Sequence, residues 1–418
     1  MVTSPLAAEH RANRIAVVLP SLEGGGAERS MLNLTKGLLA QGRKVDLVLC
    51  QAKGAYLDEI PNGANVVELE PSGAVQARLI AATGSISDFC ALLRPVLLAG
   101  KVAPETARIR SLQHYIEQTR PDAILSALTY ANLTAIWAKR RSGSAVPVIV
   151  SERIALTSYC AAPSNFRKWR WRYLPAVVRR TYPSADRVVA VSNFVAQQLI
   201  TEVGLEASSI TALPNPVVDD NLRLSAAQDL DHPWFADGAP PVILAVGRLT
   251  EQKDFATLLR AFALIQAQQE VRLVILGEGR LRDELQALAR GLGVQANLDM
   301  PGFVENPFKY MKRASTLVLS SQYEGLPGVL IQAMACGCPV VSTDCPGGSG
   351  EILGDGEYGT LVPVGDAKSM AAAVLASLDK PTPRDKLLQR AEDFSVERAT
   401  SEYLAVMDSA VKQVAVKR

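Results

Sequence analysis

Short, unbroken apolar runs separated by stretches of helical spacing recur along most of the 418-residue chain. An apolar run without polar alternation reads as a strand buried on both faces, the habit of parallel sheets covered by helices. The first such unit opens with RIAVVLP (14–20), a glycine loop SLEGGG, and then AERSMLNLTKGLLAQG, where Met31, Leu34 and Leu38 recur at helical spacing. VDLVLC (45–50) follows, completing strand, loop, helix, strand. DAILSAL (122–128), VPVIVSE (146–152) and DRVVAVS (186–192) continue the series. Segment 71–120 is apolar and poorly punctuated, and its elements are not placed.

A second series follows a polar stretch, 219–240, that reads as a linker. Its strands are PVILAVG (241–247), VRLVILG (271–277), STLVLSS (315–321), PVVST (339–343) and GTLVPV (359–364), with helices over 254–267, 280–293, 367–379 and 395–414. Two successive α/β series imply an α/β fold of two Rossmann-like, doubly wound domains facing a cleft. The expected division is 1–218, 219–395, and a terminal helix in 396–418 that either caps the second domain or crosses back to the first.

Lys+Arg 44 against Asp+Glu 42 leaves a net charge of +2, which argues against a general nucleic-acid binder. The six cysteines form no C-x-x-C pair and there are three histidines, so no zinc-type spacing appears. Scattered thiols and a polar N-terminus suggest a reducing cytoplasm. No run of about 18 apolar residues predicts a membrane span.

Three loops carry candidate chemistry. Gly25 and Gly26 precede a helix, where backbone N–H groups can meet an anion; a plain tight turn is the alternative. GRLTEQKDF (247–255) leaves a strand end directly, and Arg248 and Lys253 there suit a diphosphate, or form a solvated surface pair. SSQYEGLPGVLIQAMAC (320–336) places Glu324 at the rim of a helix start, with Pro327 expected in the first helical turn and amides from Gly328 through Val329 to Leu330 open to phosphate or sugar oxygens. Glu324 either accepts hydrogen bonds from sugar hydroxyls or serves the helix dipole.

This last stretch resembles the donor-binding signature of glycosyltransferase family 4, the retaining enzymes with the GT-B fold. GGGAER, ADRVVAVSNFV, ITALPNPVV, AVGRLTEQKDFATLLRAF, LVILGEGRLRDEL, PGFVENP and EILGDGEYGTLVPVGD resemble further family segments in order and spacing. The resemblance implies that Arg248 and Lys253 bind the donor diphosphate and Glu324 the donor sugar. It implies donor contacts from Gly325, Leu326, Gly328, Val329, Leu330 and Gln332, nucleobase contact at Gly302 and Phe303, and phosphate contact from Gly25 and Gly26. The family pattern has a second Glu, which binds the nucleotide ribose, where this chain has the neutral amide Gln332. Glu351 matches a recurrent family acid, and a helix-start role fits it equally. Asp229 and Asp231 match a metal-binding DxD by chance, since they follow no strand.

NFRKWRWRYLPAVVRR (165–180) interleaves Arg167, Lys168, Arg170 and Arg172 with Trp169 and Trp171. Such a segment suits an anionic membrane surface, or is a surface helix whose aromatics pack inward. Glu152 and Arg153, at a strand end of the first domain, are candidates for the acceptor side. The expected activity is transfer, with retention and without metal or other cofactor, of a sugar from a UDP- or GDP-linked donor. The acceptor is a hydroxyl of a glycan or lipid-linked intermediate, as in lipopolysaccharide or exopolysaccharide assembly, at the inner face of the membrane. A catalytically degenerate scaffold, which Gln332 favours, and a nucleotide-sugar epimerase are the alternatives.

Overall fold

The computed structural model describes residues 11–83, 89–98 and 100–416. Its contacts divide the chain into two units, one of residues 1–216 with 396–418, the other of residues 217–395. The first unit holds a parallel sheet of β1 (Arg14–Leu19), β2 (Lys44–Leu49), β3 (Asn65–Glu68), β4 (Ala123–Ala127), β5 (Val148–Glu152), β6 (Arg187–Ala190) and β7 (Ile210–Ala212). Their order is β3-β2-β1-β4-β5-β6-β7, and Val17 of β1 pairs with Leu47 on one side and Leu125 on the other. The central strands are buried along nearly their whole length, which is why they carry no polar alternation.

The second unit holds β8 (Val242–Val246), β9 (Arg272–Leu276), β10 (Leu298–Gly302), β11 (Thr316–Leu319), β12 (Val340–Thr343) and β13 (Thr360–Val362), in the order β10-β9-β8-β11-β12-β13. Every pairing in both sheets is parallel. The order reverses after β8, as it does after β1, so both sheets have the switch point at which open α/β sheets receive ligands.

The terminal helix Val396–Val416 returns to the first unit. Tyr403, Leu404, Met407 and Ala410 lie in the same core cluster as Val17, Leu47 and Leu125, and Asp408 accepts from the Ala12 amide at 2.8 Å. Segment 219–240, expected to be irregular, instead forms a helix, Asp220–Ala227, and a short 3-10 turn, Pro233–Phe235. Asp219 caps that helix by accepting from the Leu222 amide at 2.9 Å, and Leu222 and Ala226 are buried. Among the described residues, segment 71–120 holds the helices Ala74–Thr83, Phe89–Leu92 and Ile109–Thr119 and the turns Leu93–Leu97 and Thr106–Arg108.

Candidate active site

Parallel strands bring their C-terminal ends to one edge. In the second unit that edge gathers the loops after β8, β9, β10 and β11, tied by backbone bonds from Gly247 N to Leu276 O at 2.9 Å and from Gly277 N to Gly302 O at 2.7 Å. Arg248 leaves β8 with its side chain exposed. Lys253 sits in the turn Glu251–Lys253 that leads into the helix Phe255–Gln266, and its Nζ lies 2.6 Å from Glu324 Oε1. Ser321 Oγ donates to the same oxygen at 2.7 Å. Ser320 Oγ donates to Lys253 O at 2.7 Å, and Gln252 Nε2 to Tyr323 O at 3.0 Å, so the two loops are fastened side by side.

Two backbone conformations hold this arrangement. Asp254, next to Lys253, has φ 44° and ψ 49°, a left-handed setting costly for a residue with a side chain. Its carboxylate recovers part of that cost by accepting from the Thr257 hydroxyl at 2.8 Å at the helix start. Gly347 has φ 145°, and a Cβ there would stand 2.6 Å from Glu324 O. The Glu324 amide in turn donates to Pro346 O at 2.9 Å, and Gly348 N to Gly325 O at 2.8 Å. The loop of Glu324 is thereby clamped between the turn after β8 and the loop after β12.

The helix after Glu324 is Gly328–Ala335, with Pro327 at the capping position rather than inside the first turn as expected. Leu330 N bonds Pro327 O, so the amides of Gly328 and Val329 are the ones presented by this end. Leu326 is buried, and Gln332 lies half-buried one turn along. Gly302 closes β10 beside the Glu278–Arg282 ion pair, and the ring of Phe303 next to it is 53% exposed, free to lie on a flat base. Glu351 falls in the first turn of the helix Ser349–Leu353.

In the first unit, Gly25 caps the helix Gly26–Ala40. A Cβ on Gly25 would lie 2.2 Å from Glu28 Oε2, so the chain's own carboxylate covers the anion place expected there, while Gly26 stays open. The acceptor-side reading of Glu152 and Arg153 is corrected. Glu152 has no exposed surface and accepts from Tyr182 Oη at 2.7 Å and Thr129 Oγ1 at 3.0 Å. Burial pushes its carboxyl up to about 7. Arg153 is buried as well, donating to Asn215 Oδ1 at 2.6 Å, to Ser151 Oγ at 3.1 Å and to Ser30 Oγ. These buried groups bond to one another within the first unit and leave almost no surface for an acceptor.

The basic segment splits its aromatics. Trp171 packs edge-on between Tyr130 and Tyr159, with ring centroids 5.4 and 5.1 Å away, whereas Trp169 stands half exposed. Arg170 lies over Trp171 at 4.4 Å and is half-buried; Arg167, Lys168 and Arg172 are exposed. Among the described residues no three His, Cys, Asp or Glu side chains gather as a metal site, and no helix is long and apolar enough to cross a membrane.

The contact between Lys253 and Glu324 could not be read from the sequence, because 71 residues separate the pair. Ser321, two residues past the end of β11, lies in the loop and steadies the carboxylate.

Two helix-covered parallel sheets, one with cations, an acid and a helix start at its switch point, define a two-domain α/β protein of the GT-B type. Sucrose-phosphate synthase from Thermosynechococcus elongatus superposes with a TM-score of 0.74 at 18% identity, over 94% of this chain and 97% of that one. Anabaena HepE in complex with UDP and glucose superposes with a TM-score of 0.70 at 18% identity, over 95% and 99%. The likeness at these identities is one of fold. Residues 24–221 match the profile described as Glycosyltransferase Family 4, and residues 228–394 the one described as Glycosyl transferases group 1. The chain therefore belongs to the glycosyltransferases of the family-4 type. Among its relatives is the N-acetylgalactosamine-N,N'-diacetylbacillosaminyl-diphospho-undecaprenol 4-alpha-N-acetylgalactosaminyltransferase of Campylobacter jejuni. The two are 29% identical over 392 residues, covering 91% of this chain and 95% of that protein.

Proposed function

We propose that this glycosyltransferase moves a sugar from a nucleoside-diphosphate sugar, with UDP favoured as carrier, to a hydroxyl of a lipid-linked glycan, with retention of configuration and without a metal. The observation that carries the reading is the Lys253–Glu324 pair set beside exposed Arg248 and the start of the helix Gly328–Ala335. An incoming diphosphate competes with Glu324 for the Lys253 ammonium. Arg248 presents its planar fork, and the Gly328 and Val329 amides add two fixed donors. These positive groups stabilise the charge that grows on the leaving diphosphate, so the protein's contribution is electrostatic preorganisation. Glu324, held by Ser321, then accepts from hydroxyls of the transferred sugar, and Phe303 offers a face to the base. The departing phosphate oxygen takes the acceptor proton, which leaves no task for a protein base. The UDP bound by HepE and the diphospho-undecaprenol substrate named for the Campylobacter relative support the donor and acceptor classes.

Gln332 supports a second reading, a scaffold that binds nucleotide without turnover. Incubation with UDP- and GDP-sugars decides between them. Release of free UDP or GDP, raised by a lipid-linked acceptor, fits the transferase; tight binding with no release from any donor fits the scaffold.

A further inference from the structure

We propose that Arg390 is a positioning residue for transfer. It holds the short helix Ser349–Leu353 from its far end and, through that helix, sets the loop of Glu324. It also fastens both to the point where the chain leaves the second unit. This role rests on the donor reading of Glu324 and extends it to a residue outside the site described above.

A helix of five residues does not stand by itself, so its place must be set at its ends. At the start, Gly348 N donates to Gly325 O at 2.8 Å, and Glu324 N donates to Pro346 O at 2.9 Å. At the other end, Arg390 supplies donors to the carbonyls of the last turn, which a helix leaves under-used. Its Nη2 donates to Glu351 O at 2.6 Å and its Nε to Ile352 O at 3.0 Å. The cation meets the negative end of the helix, and its planar fork spans two carbonyls where an ammonium would reach one. The guanidinium lies 5.2 Å from the ring centre of Tyr358, and the side chain is only 20% exposed, so little water competes for these bonds.

Arg390 stands on the helix Arg384–Glu392, which buries Leu387 and Ala391 and packs on the helix Gly328–Ala335. Its Nη1 donates to Asp393 Oδ2 at 2.8 Å, and its guanidinium lies 5.1 Å from the ring centre of Phe394. The chain passes between the units after Pro216 and again after Ser395. Within the second unit these two segments are tied to each other. Val217 N and Val218 N both donate to Phe394 O, at 3.0 and 3.1 Å, and Val218 pairs with Ser395. One guanidinium thus spans from the carbonyls behind the Glu324 loop to the residues that carry this pairing. A shift of the loop on donor binding pulls on Arg390, and through Asp393 and Phe394 on the amides of Val217 and Val218.

Amide hydrogen exchange and UDP titration on the full chain test this, with the wild type, Arg390→Ala, Arg390→Lys and Asp393→Asn. Without nucleotide, Arg390→Ala is expected to speed exchange at Glu324 and from Gly348 to Leu353 about tenfold, with the amides of β8 and β9 unchanged. The same variant is expected to bind UDP about three- to tenfold more weakly. Arg390→Lys keeps the charge and loses the fork, and is expected to fall with the alanine variant in UDP affinity. In the wild type, saturating UDP is expected to slow exchange at Val217 and Val218 about threefold. Asp393→Asn is expected to remove that response while keeping UDP affinity within about twofold of wild type. Wild-type exchange around Gly348 or wild-type UDP affinity in Arg390→Ala overturns the proposal. So does faster exchange across β8 and β9 alike, which marks a folding role only, or UDP that binds the wild type without slowing Val217 and Val218. A wild type that binds no UDP counts against the donor reading, and the nucleotide-free exchange then decides for or against Arg390 as the residue that places the loop.

Discussion

Lys253 Nζ and Glu324 Oε1 lie 2.6 Å apart, with the two side chains 17% and 10% exposed. A pair this sheltered loses more from removal of one partner than from removal of both, because a lone charge is left without water. Lys253→Met or Glu324→Leu alone is expected to destabilise the second unit by about 1.5–3 kcal/mol. The double variant is expected to recover most of that stability while staying inactive. Urea unfolding of the four proteins, with donor turnover measured on each, checks the cycle. Recovery of activity along with stability would show that the pair serves folding only.

Gly347 determines where Glu324 stands. A methyl group at this position meets Glu324 O at 2.6 Å, and the backbone there has φ 145°. Gly347→Ala is expected to cost about 1–3 kcal/mol and to weaken nucleotide binding, since the Glu324 loop must shift. A melting curve with and without UDP measures both effects. Unaltered UDP affinity in the variant would mean that the loop position is immaterial to the donor.

Glu152 makes stability depend on pH. Its carboxyl titrates at about 7 in the fold, because burial disfavours the charged form, and near 4.3 when unfolded. The folded protein therefore binds the proton more tightly, so this group's contribution is fully present below pH 4 and is lost as pH rises to about 7. The loss is on the order of 4 kcal/mol as an upper bound. Glu152→Gln is expected to lack this pH-dependent fall. Unfolding free energies of both proteins at pH 5 and pH 8 test it, and parallel losses in the two would remove Glu152 as the source.

Gln332 lies half-buried one turn into the helix Gly328–Ala335. A neutral amide gives a weaker bond to a ribose hydroxyl than a carboxylate does, by about 1 kcal/mol. Gln332→Glu is expected to tighten UDP binding several-fold with no change in the fold, as read by titration calorimetry. A weakened affinity would place the side chain away from the ribose.

The strands visible in the sequence are those buried on both faces, such as β1, β4 and β8. The three that escaped, β3, β7 and β10, are outer strands of their sheets, and β7 spans only three half-buried residues. β3 (NVVE) is mostly exposed and β10 (LDMPG) is largely half-buried, so neither presents a continuous apolar run. The helix Asp220–Ala227 escaped for a related reason: it buries Leu222 and Ala226 and leaves most of its other residues in water. The strand ends and glycine loops were legible because they interrupt the pattern. Glu152 and Arg153 satisfied the same rule and misled, since position at a strand end does not reveal whether a side chain turns outward or folds into the core.

The central claim is that Arg248 and Lys253, at the tip of β8, hold the donor diphosphate. Titration calorimetry of UDP against the wild-type protein, Arg248→Ala and Lys253→Ala tests it most directly. Loss of a charge-assisted bond of about 1.5–3 kcal/mol predicts affinities lower by roughly 10- to 150-fold, with Arg248→Ala melting like the wild type because its side chain is exposed. UDP bound to both variants with wild-type affinity would contradict the account.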